Sequence, residues 1–404
     1  MREKQLERLL AVRQQRFQAL LVLTKAVNSN FSKAALLKLF EYNLEGALQI
    51  GKIALFVWEE EWRLLINNNN QTITNKIKPQ EDLLKFQVIQ KVTNFPGGIF
   101  EGFDFLIPVV HNNTPIAYLL IGEIETEKID SIDDKLKFIE TISNLVLISL
   151  ENKRMFNEQL KQERVNKEIE LAAQVQNMLI PQSLPKNDTM EVAGYYRPHG
   201  SIGGDYYDFI EIDDTHVAFC MCDVSGKGIG AGMIMANFQA NLRALANKDY
   251  PLEQLIDHLN FKLKETTKGE KFITMFFGIF NTASRKLQYV NAGHNPPLLV
   301  SGGDVKLLKD GCTILGVFDS LPFIQPQELI LDQNAQLIMY TDGLSELENE
   351  LGEMFDEDKL TAYALAHQDL PITDFVETLV TSLEKYKGEM DYNDDVSILT
   401  CRFF

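Results

Sequence analysis

Cysteine is scarce in this 404-residue chain, with four residues, Cys220, Cys222, Cys312 and Cys401, and none before position 220. The four lack zinc-ligand spacing and read as reduced core residues of a cytosolic protein. Basic residues are also short: 39 Lys and Arg stand against 57 Asp and Glu, a net charge of −18. That balance argues against nucleic acid as a partner, because no basic patch would offset phosphate repulsion. No uninterrupted apolar run approaches the ~20 residues that span a bilayer. The charged start, from Met1 to Arg8, has no signal-peptide apolar region. Nucleotide loops are missing as well. Gly51-Lys52 and Gly226-Lys227 are followed by Ile53 and Gly228 instead of Ser or Thr, and no register of the glycines gives G-x-G-x-x-G.

What is present suits a soluble protein of two or three domains, each large enough to bury a core. Residues 1–29 read as one helix, and Ser32 is placed to cap a second from Lys33 to Leu48. Ile53–Trp58 and Leu64–Ile66 read as strands and Glu81–Lys91 as a helix. Phe103–Val110 and Ile116–Ile124 flank a hairpin turn. From Asp133 to Leu179 the pattern is helical without Gly or Pro, longer than the ~8–20 residues of an ordinary helix, which marks a connector. Ile148, Met155, Ile169 and Gln176 share one heptad position, an imperfect coiled-coil seam that would pair two copies of the chain. The domains expected are therefore 1–29, 30–150, a helical linker 151–184 and a second domain 185–404. In that last part many antiparallel strands alternate with paired helices, which implies an α+β layered sandwich.

Four acidic sites share one setting in the second domain. Asp205 follows Gly203-Gly204. Asp223 closes the apolar run Val217–Cys222 and opens a turn with Gly226, Gly228, Gly230 and Gly232. Asp342 follows Leu337–Thr341 and precedes Gly343. Asp394-Asp395 stands just before the last strand, Val396–Phe403. A single Asp at a strand end is usually a turn former. Several, with no basic partner beside them, are costly unless a cation neutralises them. Oxygen-only ligation suits magnesium or manganese, and two such ions about 4 Å apart would ready water for in-line attack on phosphorus.

These motifs, with Asn291–Pro297 among them and Leu171–Pro181 leading in, resemble in order the SpoIIE-type branch of the metal-dependent (PPM) serine/threonine phosphatases. The resemblance covers residues 170–404. It implies an αββα sandwich with a two-metal site between the sheets, and an enzyme that removes phosphate from phosphoserine or phosphothreonine. By resemblance, Asp205 and Asp223 bridge both metals, the Val224 carbonyl completes one shell, and Asp342 and Asp394, in preference to Asp395, hold the second ion. Asp208 is a neighbour without an assigned role. Arg197 and Lys227 are candidate phosphate contacts, and either is equally readable as a solvated charge. Ser225 stands where the eukaryotic branch carries a histidine, which leaves metal-bound water to protonate the leaving oxygen. His294 reads as a loop-ordering residue. The implied substrate is a phosphorylated STAS-type anti-anti-sigma partner in a partner-switching pathway. The alternative is a catalytically silent docking module of the same fold. Residues 26–150 resemble a GAF domain by element order alone, an α/β sensory module that would regulate the phosphatase or dimerise; with no cysteine there, a thioether-linked chromophore is not expected.

Overall fold

The computed structural model describes every residue except Met1, 69–75, Gly97, 126–130 and 247–249, and excludes the side chains of residues 2–5 and 8. The chain divides into two compact units, Met1–Glu163 and Arg164–Phe404.

In the first unit, α1 (Arg2–Asn28) and α2 (Lys33–Tyr42) precede a five-stranded antiparallel sheet. Ser32 caps α2 as its sequence suggests, its hydroxyl accepting the Ala35 N–H at 3.3 Å. The helix expected to reach Leu48 widens instead to a π-turn over Asn43–Ala47, because the Leu48 N–H bonds the Asn43 carbonyl five residues back. The strands are β1 (Ile50–Glu59), β2 (Glu61–Asn68), β3 (Gln90–Lys91), β4 (Phe105–His111) and β5 (Thr114–Ile124), in the order β2-β1-β5-β4-β3. Their period of two divides the apolar residues between faces. Leu55, Leu119 and Ile121 meet Leu23, Phe40, Ile139 and Ile142 of the helices, while Phe56, Tyr118 and Leu120 meet Phe100 and Phe103. The helix expected over Glu81–Lys91 is not formed. Only Pro79–Asp82, α3, is helical, and Leu83 and Val92 are drawn into the second of these cores while Gln90–Lys91 pairs with Phe105–Leu106. Sheet pairing there satisfies the backbone that a helix would have bonded to itself.

The long helix is present: α4 runs unbroken over Ile132–Asn177, 46 residues.

The second unit is four layers deep. One sheet holds β7 (Tyr206–Glu211), β8 (His216–Val224), β9 (Ile273–Asn281), β10 (Lys286–Ala292) and β13 (Gly311–Cys312), with β14 (Gln327–Ile330) also on β10. The other runs β12 (Asp304–Leu307), β11 (Leu298–Ser301), β15 (Ala335–Tyr340), β16 (Val396–Phe403) and β6 (Met190–Arg197). Phe219, Met221, Phe276, Leu337, Met339, Leu399 and Phe403 form the core between the sheets. Ala218, Cys220 and Cys222, on the opposite face of β8, pack under α5 (Ile229–Leu245) and α6 (Leu252–Thr267). That division explains why Val217–Cys222 shows no alternation: both faces of β8 are covered. The α5 stripe Met235, Phe238 and Leu242 is buried as its spacing requires, each side chain worth about 1.5–3 kcal/mol of burial. On the outer face of the second sheet, Ile338, Tyr340 and Ile398 pack against Leu360 of α8 (Glu357–Ala366) and Phe375, Leu379 and Leu383 of α9 (Ile372–Lys387). A four-residue helix, α7 (Asp342–Ser345), follows β15.

Candidate metal centre

Register brings the acids to one end of both sheets. Tyr206 pairs with Cys222, so Asp205, just before β7, lies beside the end of β8 that carries Asp223. Tyr340 pairs with Ile398, so Asp342 and Asp394 flank the matching end of β15 and β16. Two hydroxyls tie the ends together across the sandwich. Thr341 Oγ1 and Ser397 Oγ donate to Asp205 Oδ2 at 2.7 and 2.6 Å. The Ser397 N–H in turn donates to Thr341 Oγ1 at 2.9 Å. Glycine is needed where backbones meet: a Cβ on Gly343 would strike the Asp395 carbonyl, and one on Gly204 would stand 2.9 Å from the Val224 carbonyl. The Val224 carbonyl therefore borders the Asp205 loop.

The electrostatics are one-sided. Burial, then the Asp223 charge, raises Asp205 well above the usual carboxylate range. Asp223 is pushed up to about 7 by burial and then by Asp342, Asp394 and Asp395, with Lys227 opposing. Asp342 is raised by burial, then by Asp394 and Glu346. Lys227 is the cation inside this group, its Nζ 2.9 Å from Asp394 Oδ2 and 2.5 Å from the Asn393 carbonyl.

Among the described residues no three His, Cys, Asp or Glu side chains gather tightly enough to hold an ion unaided. The bonding of the acids shows why. Asp205 Oδ2 accepts two hydroxyls, and Asp394 accepts the Asp395 N–H at 2.8 Å while facing Lys227. The donor set nevertheless fits a hard divalent cation: all side-chain donors are carboxylates, a carbonyl lies alongside, and their mutual repulsion exceeds what one ammonium neutralises.

The other residues singled out in the sequence have different surroundings. Asp208 is fully buried and taken bidentately by Arg243 of α5, at 2.7 Å to each oxygen, with the Tyr206 hydroxyl on the same carboxylate. Arg197 pairs with Glu384 at 2.7 Å and lies over the Tyr392 ring. Asp395 accepts the His199 and Gly204 N–H groups at 2.7 and 2.6 Å, which anchors the loop before Asp205. Ser225 Oγ accepts the Phe272 N–H at 3.0 Å. His294 is buried, bonds Thr274 Oγ1 at 2.9 Å through Nδ1, and exchanges backbone bonds with the Asn291 side chain. Burial lowers its pKa to about 4, so at neutral pH it is an uncharged loop-ordering residue.

Residues 213–404 match the family model described as Stage II sporulation protein E (SpoIIE). The family match thus covers the greater part of the second unit. The chain is 28% identical over 221 residues to Protein IcfG of Synechocystis sp., covering 48% of this chain and 35% of that protein. It is 25% identical over 243 residues to the phosphoserine phosphatase RsbU of Bacillus subtilis, covering 60% and 71%. The match to IcfG thus spans about a third of that relative's length. The SiaA-PP2C domain of Pseudomonas aeruginosa superimposes with a TM-score of 0.54 at 19% identity, over 60% of this chain and 99% of that domain. The αββα layering of the second unit is thus a PP2C-type fold.

Sequence reasoning missed Thr341 and Ser397, and it placed Gln176 on a coiled-coil seam, whereas the buried side chain bonds the Gly203 backbone. The first two stand beside acids already noted, one before Asp342 and one two after Asp395, but only the closure of one sheet on the other points both hydroxyls at Asp205.

Proposed function

We propose that the second unit is a SpoIIE-family domain and a metal-dependent phosphoprotein phosphatase acting on phosphoserine or phosphothreonine. The observation that carries the reading is the group of mutually repelling carboxylates, Asp205 fully buried and the others partly so, at the joined ends of two sheets. Asp205, Asp223, Asp342 and Asp394, with the Val224 carbonyl, would hold two manganese or magnesium ions. Bound there, the cations would neutralise the phosphate and activate water. The chain's own part is to fix the ligands: Thr341 and Ser397 orient Asp205, and Asp395 fixes the loop that bears it. Lys227 stands at the edge of the group, where its ammonium can meet a substrate phosphate. The phosphoserine phosphatases RsbU and RsbP of Bacillus subtilis support this assignment. In this reading the substrate is a phosphorylated STAS-type partner of a partner-switching pathway, and the protein works in the cytoplasm. No helix among the described residues is long and apolar enough to cross a membrane.

The first unit, in this reading, is a GAF-like regulatory module, as its antiparallel sheet flanked by α1, α2 and α4 suggests. It pairs with a second copy along exposed apolar positions of the helices, among them Leu6, Leu10 and Phe17 of α1 and Met155, Phe156 and Leu160 of α4.

Hydrolysis of p-nitrophenyl phosphate with manganese or magnesium, and its loss in chelator, tests the catalytic reading. Failure of every divalent cation to elicit turnover overturns it in favour of a silent docking module.

A further inference from the structure

Beside the acid group lies a groove of about 420 Å³, within the ~300–1,000 Å³ typical of ligand clefts. Ile169, Ile202 and Ile229 line it, and His199, Lys227 and Asp395 form its polar border. We propose that this groove is a specificity subsite that receives an apolar side chain next to the phosphorylated residue of the protein substrate. The proposal rests on the phosphatase reading and adds a substrate preference to it.

Continuity with the acid group is the first support. Lys227 belongs to both, bonding Asp394 at 2.9 Å while forming one end of the groove. Asp395 belongs to both as well, since it accepts the Gly204 N–H of the Asp205 loop at 2.6 Å and borders the groove. A phosphate over the carboxylates would therefore place a neighbouring residue of its chain in the groove.

The lining chemistry is the second support. Ile229 opens α5 with half of its surface exposed, although the stripe Met235, Phe238 and Leu242 already anchors that helix. Its exposed apolar surface is thus free to meet another molecule, and Met233, one turn on, is 71% exposed.

Charge is the third. The chain carries −18 and the buried Asp395 borders the groove, so an acidic flanking residue would be repelled there and an apolar one would not.

The border is also held in place. The His199 N–H donates to Asp395 at 2.7 Å and its ring Nδ1 lies 2.7 Å from the Tyr392 carbonyl, so the groove is largely formed before a substrate arrives.

The test uses phosphoserine peptides in which a single Leu is moved through the two positions on each side of phosphoserine, against a parent with Ser at all four. With the full chain and manganese, one placement should raise kcat/KM about tenfold over the parent, in the range that apolar pockets discriminate. Ile229→Lys should erase that advantage and transfer the preference to Glu in the same placement; Ile229→Ala, gentler on the fold, should erase it without the transfer. Equal kcat/KM for every placement, or a Leu advantage that survives in both variants, overturns the subsite. Should Ile229→Lys convert a dimer to a monomer without altering peptide preference, the occupant is a second copy and the subsite is likewise overturned. Should neither the peptides nor p-nitrophenyl phosphate be hydrolysed, the phosphatase reading fails; peptide binding followed by fluorescence anisotropy then decides the groove separately, and equal affinity for Leu and Ser peptides overturns it.

Discussion

Gln176 closes on Gly203 from both sides: its Nε2 donates to the Gly203 carbonyl at 2.7 Å, and its Oε1 accepts the Gly203 N–H at 3.2 Å. The side chain is 6% exposed, so both bonds lie out of water. Through them the end of α4 is joined to the loop that carries Asp205. Gly232 of α5 completes the junction. A Cβ there would strike Ile202 and come within 3.0 Å of Gln176 Nε2.

Gln176→Ala should leave two buried backbone groups without partners, at about 1–3 kcal/mol apiece before relaxation. The expected outcome is a loss of roughly 2–4 kcal/mol in urea denaturation, with weaker manganese binding in calorimetry. Parent-like values for both quantities would show that the clamp does not hold the Asp205 loop.

Asp342→Asn should abolish turnover and leave the fold intact, because it would remove a proposed metal ligand while relieving repulsion from Asp394 and Glu346. In chelator its midpoint of thermal unfolding should equal or exceed that of the parent. Ser225→Ala should cost far less activity, since its hydroxyl accepts the Phe272 N–H and is assigned no part in proton transfer. Comparable losses of kcat in Ser225→Ala and Asp223→Asn would refute that division.

With divalent cations chelated, stability should fall as pH rises from about 4 to about 7. The sign follows from Asp223, raised from 3.8 to about 7 in the fold. Between those values the folded chain holds a proton that the unfolded chain has released, so raising the pH favours unfolding. Added manganese should reverse the trend, because binding to the ionised carboxylates stabilises only the folded state. Thermal unfolding measured at several pH values, with Asp223→Asn as a flatter control, checks this; a rise in stability across the same window would contradict it.

Arg243→Met should destabilise by about 2–4 kcal/mol, because it leaves Asp208 buried with only the Tyr206 hydroxyl and a backbone N–H. Solvent screening of the 47% exposed guanidinium holds the loss below that of a fully buried pair. Asp208→Asn in the Arg243→Met background should recover part of the loss. Urea denaturation of the single and double variants measures it, and strict additivity would show that the pair does not interact.

Much of this organisation was legible along the chain. The unbroken helical pattern from Asp133 became one 46-residue helix because nothing in it breaks backbone bonding. The acids stand out because each lies where an apolar strand begins or ends, a strictly local pattern. Glu81–Lys91 misled because its helix-forming composition was overruled by pairing with β4, a partner more than a dozen residues away in sequence. Asp208 and Asp205 look alike in the sequence, three residues apart. Asp208 lies within β7 and is claimed by Arg243, whereas Asp205 precedes the strand and faces the acids.

Periodicity and immediate neighbours were enough for most of the strands, the long helices and the set of acids, though not for the strand Gln90–Lys91. Which acids gather at one end of the sheets, which is sealed in an ion pair, and which hydroxyls hold Asp205 were decided only when one sheet packed on the other. Those partners lie far apart in the chain, Thr341 136 positions and Ser397 192 positions after Asp205. No local preference encodes such a meeting; it arises from burying the two apolar faces against each other.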